Sequence, residues 1–381
     1  MRTIIAQNNL DFRNEVEKIR REIDYDQHLP RELEPYRDWL VSVCGSILDA
    51  IETNFENLAK PDDSILIDIV SDTNIIARNV TILNSRYIVP VLRSKRSDLP
   101  ALRLVSWLHE SHRATRDNPF AISAGMFACL PYPGMPTIYF FPSSAHGQIL
   151  YLPLLFHEFG HVLYAFHKVE MEALVKELQQ KIAIRLQPSV VRNDRFSLEA
   201  NRKLDKIAIT WFEWTQELFC DAVGLKIGGP SFIHAFSMYC RMLGHEEFHV
   251  PEESLAFRVH PVSWIRVKLL ASRADAMGFP KLAAELLEAW SDIAACSKIT
   301  EEYFGFFSDA FLPIVNATID DMLVESNPLG FDDANGMTLP VSLLNRAWET
   351  FLNDPTAFSE WENAAIDELL GITTLSAAEA A

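Results

Sequence analysis

His157-Glu158-Phe159-Gly160-His161 constrains this chain more than any other stretch. Residues four apart on a helix share one face, one turn above the other. Two imidazoles at that spacing can grip one metal ion, and the intervening Glu158 can reach water bound to it. The flanks predict a buried helix: Leu152, Leu154, Leu155 and Phe156 precede the motif, and Val162, Leu163 and Phe166 follow it. Pro153 suits the first helical turn, where its missing N–H costs nothing. Gly160 is a poor helix former, so its place inside a helix implies close packing against another element.

The stretch His245-Glu246-Glu247-Phe248-His249 also reads H-E-x-x-H. It follows Gly244, a natural helix stop, and meets Pro251 two residues after its last histidine. No apolar stripe continues on either side, so this copy is expected in a loop or a short exposed turn. Context favours the first copy as the metal site.

Composition bounds the rest. The 381 residues can bury a large core, and 49% hydrophobic with 23% charged residues is ordinary for a globular protein. Only 14 glycines, together with long stretches of helical periodicity, predict a mainly α chain with a small β-sheet. The formal net charge of -18 repels phosphate backbones, so no nucleic-acid partner is expected. Cys44, Cys129, Cys220, Cys240 and Cys296 form no C-x-x-C pair, which argues against a disulfide framework and a thiolate metal site. The first residues lack the pattern of a signal peptide, and no run of 18 apolar residues occurs. No membrane partner is expected, and a cytoplasmic location is the simplest expectation.

Along the chain, Phe12, Val16, Ile19 and Ile23 mark an amphipathic helix, and Leu40, Val43, Ile47, Ile51 and Phe55 mark a second. Ser64 to Val70 fits either a strand or a buried helix. A helix from about Leu99 to Arg113 carries His109 and His112, which either share a metal or lie on a partly exposed face. Ala121 to Leu130 and Thr137 to Phe141 read as strands joined by a Pro-Gly turn. The second strand is either a sheet edge able to pair with an extended peptide or a core strand. Helical periodicity resumes after His161 and is expected to stop at Gln187-Pro188, with a polar loop to about residue 200. Further helices are expected over about 198–227, 231–243, 261–277 and through the last hundred residues.

Glu217 and Asp221 are two acids four apart inside an apolar stretch that includes Trp211, Trp214, Leu218, Phe219 and Val223. Buried acids are costly unless paired or bound to metal. A catalytic zinc keeps three protein ligands and one open position. His157 and His161 supply two, and Glu217 is the leading third, with Glu213 as a rival. Asp221 would then accept the other ring N–H of a ligand histidine. Structural ion pairing is the alternative for both acids.

His157-Glu158-x-x-His161 followed by Glu217-x-x-x-Asp221-x-x-Gly224 resembles the gluzincin metallopeptidases, specifically the HtpX-like and CAAX-prenyl-protease-like branch. The downstream run His260-Pro261-Val-Ser-Trp-Ile-Arg266-Val-Lys-Leu269 matches a third motif of that branch, and the resemblance covers about residues 135 to 275. It implies a zincin-like catalytic domain over 101–275, and the regions over 1–100 and 276–381, which read as helical from their periodicity, lie outside it. It also implies a zinc cofactor, a peptide or protein substrate, and amide hydrolysis with Glu158 as general base. His260 would stabilise the oxyanion, with Tyr139, Tyr164 and Arg266 as weaker candidates; capping is the alternative for His260 and an ion pair for Arg266. Two further readings stay open. The substrate could be a non-peptide amide, or the chain could be a scaffold whose helical flanks bind a protein partner.

Overall fold

The structure, a computed structural model, describes residues 1–25, 29–132, 134–145, 147–191, 198–242, 248–256, 258–333 and 339–371. Among these the chain is mainly α with one small three-stranded sheet. It divides into two compact units. Residues 1–106, 118–130 and 134–146 form the first, and residues 107–117, 131–133 and 147–381 form the second.

In the first unit, helices α1 (Arg2–Tyr25), α2 (Glu34–Leu58) and α3 (Leu66–Ile82) pack on one another. The apolar seams do the work: Val16, Ile19 and Ile23 of α1 are buried, as are Leu40, Ile47 and Ile51 of α2. Ser64 to Val70 proves helical, forming a turn and the start of α3. Periodicity does not reveal a polar knot inside this bundle. Asn9 Nδ2 donates to Thr73 Oγ1 at 3.0 Å, and Asn54 Nδ2 donates to Asn9 Oδ1 at 3.1 Å. Buried amides are tolerated only when bonded, so the knot ties the register of three helices together.

Two helices follow, α4 (Val89–Leu92) and α5 (Leu99–Ser111), and then the sheet. Strands β1 (Phe120–Ala124), β2 (Ala128–Leu130) and β3 (Thr137–Phe141) are ordered β1-β3-β2. β3 runs parallel to β1 and antiparallel to β2. It is the central strand, so the edge role considered for Thr137–Phe141 is excluded: both of its sides are already hydrogen-bonded. The single strand expected from Ala121 to Leu130 breaks at Gly125, whose N–H donates to Phe141 O at 3.1 Å.

The second unit is built around α6 (Leu154–Phe166) and α8 (Leu198–Gly228). α7 (Lys168–Val191) lies beside α8 and runs three residues past Pro188, so the expected stop is not observed. It continues through α9 (Pro230–Met242), α10 (Glu252–Leu255), α11 (Ser263–Ala276), α12 (Pro280–Ser297) and α13 (Leu312–Ser326). The last two helices, α14 (Leu339–Asn353) and α15 (Phe358–Gly371), pin the ends of the central pair. Asn345 Oδ1 accepts from Ser231 N at 3.0 Å, and its Nδ2 donates to Gly228 O at 3.1 Å, where α8 gives way to α9. Trp348 Nε1 donates to Leu150 O at 3.2 Å, and Glu362 Oε1 accepts from Ile149 N at 2.9 Å, both just before α6.

Among the described residues one stretch, Ile149–Phe166, is long and apolar enough by composition to cross a membrane, and 78% of it is buried inside the protein. Its apolar surface is therefore spent on packing within the second unit.

His109 and His112 match neither the shared-metal nor the exposed-face expectation, because both are buried in neutral roles. His112 Nδ1–H donates to Leu108 O at 2.7 Å, and its Nε2 accepts from Leu329 N at 3.0 Å, which uses both ring nitrogens. His109 Nδ1–H donates to Thr115 O at 3.1 Å. Burial holds the His109 pKa down to about 4 and lowers that of His112. The unfolded chain binds these protons near the ordinary value of about 6.5, so the stabilisation is present above that pH and is lost as pH falls towards 4. His109 alone accounts for roughly 3 kcal/mol across that window. The melting temperature should fall between pH 6.5 and 4.5, and His109→Gln should flatten the fall. An equally steep profile in the variant would refute this assignment.

Candidate metal centre

α6 and α8 touch almost backbone to backbone. A Cβ on Gly160 would lie 2.7 Å from Cys220 Cα, and a Cβ on Gly228 would lie 2.7 Å from the Phe156 ring. As α6 is followed backwards from Gly160 to Phe156, α8 is followed forwards from Cys220 to Gly228, so the two helices run antiparallel. This crossing sets His161 opposite Glu217 and His157 opposite Asp221. Apart from His161, which is half-buried, every residue from Leu154 to Tyr164 is buried.

The resulting geometry is compact. His157 Nε2 lies 3.5 Å from Glu217 Oε2, and His161 Nε2 lies 3.5 Å from Glu217 Oε1. One donor atom from each of the three residues falls within 4.8 Å of the others. Tetrahedral ligands about 2.0–2.1 Å from a metal stand roughly 3.3 Å apart. The two histidine–carboxylate separations, each to a different oxygen of Glu217, are near that spacing, and the three-atom set as a whole is looser. Among the described residues Glu217 Oε2 is buried without a hydrogen-bond partner, with His157 Nε2 and His260 Nε2 each 3.5 Å away, and a bound cation would satisfy it. Two imidazoles, a carboxylate and an orphaned carboxylate oxygen fit a metal: the buried group of His157, His161 and Glu217 could bind one.

Both histidines are held from behind. His157 Nδ1–H donates to Asp221 Oδ1 at 2.8 Å. Asp221 is fully buried and is clamped by Arg266, which donates from Nε to Oδ2 at 2.7 Å and from Nη2 to Oδ1 at 2.6 Å. Arg266, in turn, lies over the Phe236 ring, 4.7 Å from its centroid. His161 Nδ1 lies 3.2 Å from Gln216 Nε2. Nothing in the spacing of the sequence points to Gln216, which is 55 residues from His161.

The electrostatics follow the same arrangement. Burial alone would disfavour a charged His157, yet Asp221 and Glu217 outweigh it and raise its pKa to about 10. Burial pushes His161 the other way, down to about 4, and Glu217 only partly offsets it. Burial would also raise Glu217 and Asp221. The cations of His157 and Arg266 more than reverse this and hold both carboxyls below the usual range. Burial raises Glu158 to about 7, with the His157 charge opposing the shift.

The other sequence candidates fall as follows. His260 Nε2 lies 3.5 Å from Glu217 Oε2, with its side chain 61% exposed, so it stands at the rim. Arg266 spends its guanidinium mainly on Asp221, in the ion pair expected as its alternative. Glu213 is exposed one turn before Glu217 and outside the three-residue group. Tyr164 is buried one turn beyond His161, with its hydroxyl unpartnered among the described residues. Tyr139 is buried in β3 of the first unit. Of the second H-E-x-x-H copy, residues 245–247 lie outside the described residues, and His249 is exposed in a bridge to Glu302. No protein-family model, curated protein or solved structure matches the chain.

Proposed function

We propose that this chain is a zinc-dependent metallopeptidase of gluzincin type, similar to the HtpX-like and CAAX-prenyl-protease-like enzymes. One observation carries the reading: His157, His161 and Glu217 bring one ligand atom each to within 4.8 Å of the others, with Glu158 buried between the two histidines on α6. Nitrogen and carboxylate donors, three in number, suit zinc with one position left for water. Zinc in such a site supplies an acidified water and polarises the scissile carbonyl.

The chain's own residues do the rest. Glu158, with its pKa near 7, can take a proton at neutral pH and return it to the leaving amine. Asp221 keeps a proton on His157 Nδ1, which leaves Nε2 to face the ligand position, and Arg266 keeps Asp221 ionised. His260 at the rim, 3.5 Å from Glu217 Oε2, would donate towards an oxyanion. The expected substrate is a peptide or protein.

Elemental analysis of purified protein should find about one zinc per chain. Protein with no bound metal that also fails to take up added zinc would sink the proposal. A peptide-library digest run beside small amides identifies the substrate. Cleavage of the amides alone would replace the peptidase reading with an amidohydrolase, and zinc-loaded protein that cleaves neither would favour a scaffold.

A further inference from the structure

We propose that Gln216 is a positioning residue whose side-chain amide holds the His161 ring in both the metal-free and the metal-bound protein, turning over between the two. The inference rests on the zinc site proposed above and concerns how that site switches between its states.

The starting point is the 3.2 Å contact between Gln216 Nε2 and His161 Nδ1. An amide N–H can only donate there, so Nδ1 accepts and the ring proton sits on Nε2. That nitrogen lies 3.5 Å from Glu217 Oε1. A metal on Nε2 needs the lone pair of that nitrogen, so the proton must move to Nδ1, which then requires an acceptor. A primary amide carries a donor and an acceptor of nearly equal size on one carbon. Half a turn about its last torsion replaces the N–H donor with Oε1, and the ring keeps its place.

His157 shows the contrast. Its Nδ1 faces Asp221, a carboxylate that can only accept and that Arg266 fixes with two hydrogen bonds. His157 therefore carries a proton on Nδ1 whether or not a metal is present. The two histidines of the motif thus have different supports, one locked and one reversible. The reversible one is on His161, the half-buried ligand.

Zinc dissociation constants of the full chain, measured by competition with a chromogenic chelator, test this. Gln216→Met keeps length and bulk but removes the amide, and Gln216→Glu keeps an acceptor. Zinc binding should weaken about 10- to 100-fold in Gln216→Met and stay within a few-fold of wild type in Gln216→Glu. A second readout is nitrogen-15 histidine NMR. His161 of the wild type should be protonated on Nε2 without zinc and on Nδ1 with it, whereas Gln216→Glu should hold the proton on Nδ1 in both states. Unchanged affinity in Gln216→Met overturns the inference, as does a wild-type His161 already protonated on Nδ1 without zinc. If Gln216→Met fails to fold, the NMR comparison of wild type with Gln216→Glu still decides. A wild type that binds no zinc would remove the metal site itself, whereas a zinc-binding wild type with an indifferent Gln216→Met removes only the role of Gln216.

Discussion

On the peptidase reading proposed above, Glu158→Gln is expected to cut hydrolysis by roughly a thousandfold or more while about one zinc per chain stays bound. The substitution is nearly isosteric and leaves His157, His161 and Glu217 untouched, so the ligand geometry survives. What is lost is an ionisable group in a buried position. Burial holds the Glu158 pKa near 7, well above the usual carboxylate value, and the positive charge on His157 pulls it down. A bound dication would pull in the same direction as that charge and lower the pKa further. The base works in its ionised form, so the wild-type rate should rise with pH through that value and level off above it. A variant that keeps more than a tenth of the activity would show that Glu158 is not the base, and one that loses its zinc would show that Glu158 helps to hold the site together.

Much of this arrangement was legible in the sequence, for a definite reason. Helical periodicity reports which face is buried, so α1, α2, α6, α8 and α11 could be anticipated. Acids inside an apolar helix have few affordable fates, and that marked Glu217 and Asp221 for a partner. Gly160 was a poor helix former in a helical run, and Cys220 supplies the close neighbour that explains it.

What was not legible depends on pairings between distant parts of the chain. Strand order is one case: Thr137 to Phe141 has the composition of an edge or a central strand, and only its partners on both sides decide. The polarity of His109 and His112 suggested exposure, but the carbonyls of Leu108 and Thr115 and the N–H of Leu329 make burial affordable. Gln216 is another case, because an amide beside Glu217 signals nothing until α6 lies against α8.

Gly160→Ala should lower the melting temperature and, on the zinc-site reading proposed above, the zinc affinity, and two opposing magnitudes decide the sign. Helix propensity favours alanine over glycine by about 1 kcal/mol, so an isolated helix would gain. Here the added methyl would sit 2.7 Å from Cys220 Cα and 3.0 Å from its Cβ. The nearest obstacle is backbone, which cannot rotate aside as the tip of a side chain can. Forcing extra volume into a packed interior commonly costs about 1–3 kcal/mol, and a backbone obstacle puts this site at the upper end. The net loss should be roughly 2 kcal/mol, the difference between about 3 lost in packing and about 1 gained in propensity. The helices can relieve the clash only by separating, which carries His157 and His161 away from Glu217. Stability and metal affinity should therefore fall together. Cys220→Ala in the Gly160→Ala background should not restore either, because the Cα of residue 220 remains in place. A Gly160→Ala protein that melts higher than wild type would show that the helices are not held as closely as the metal centre requires.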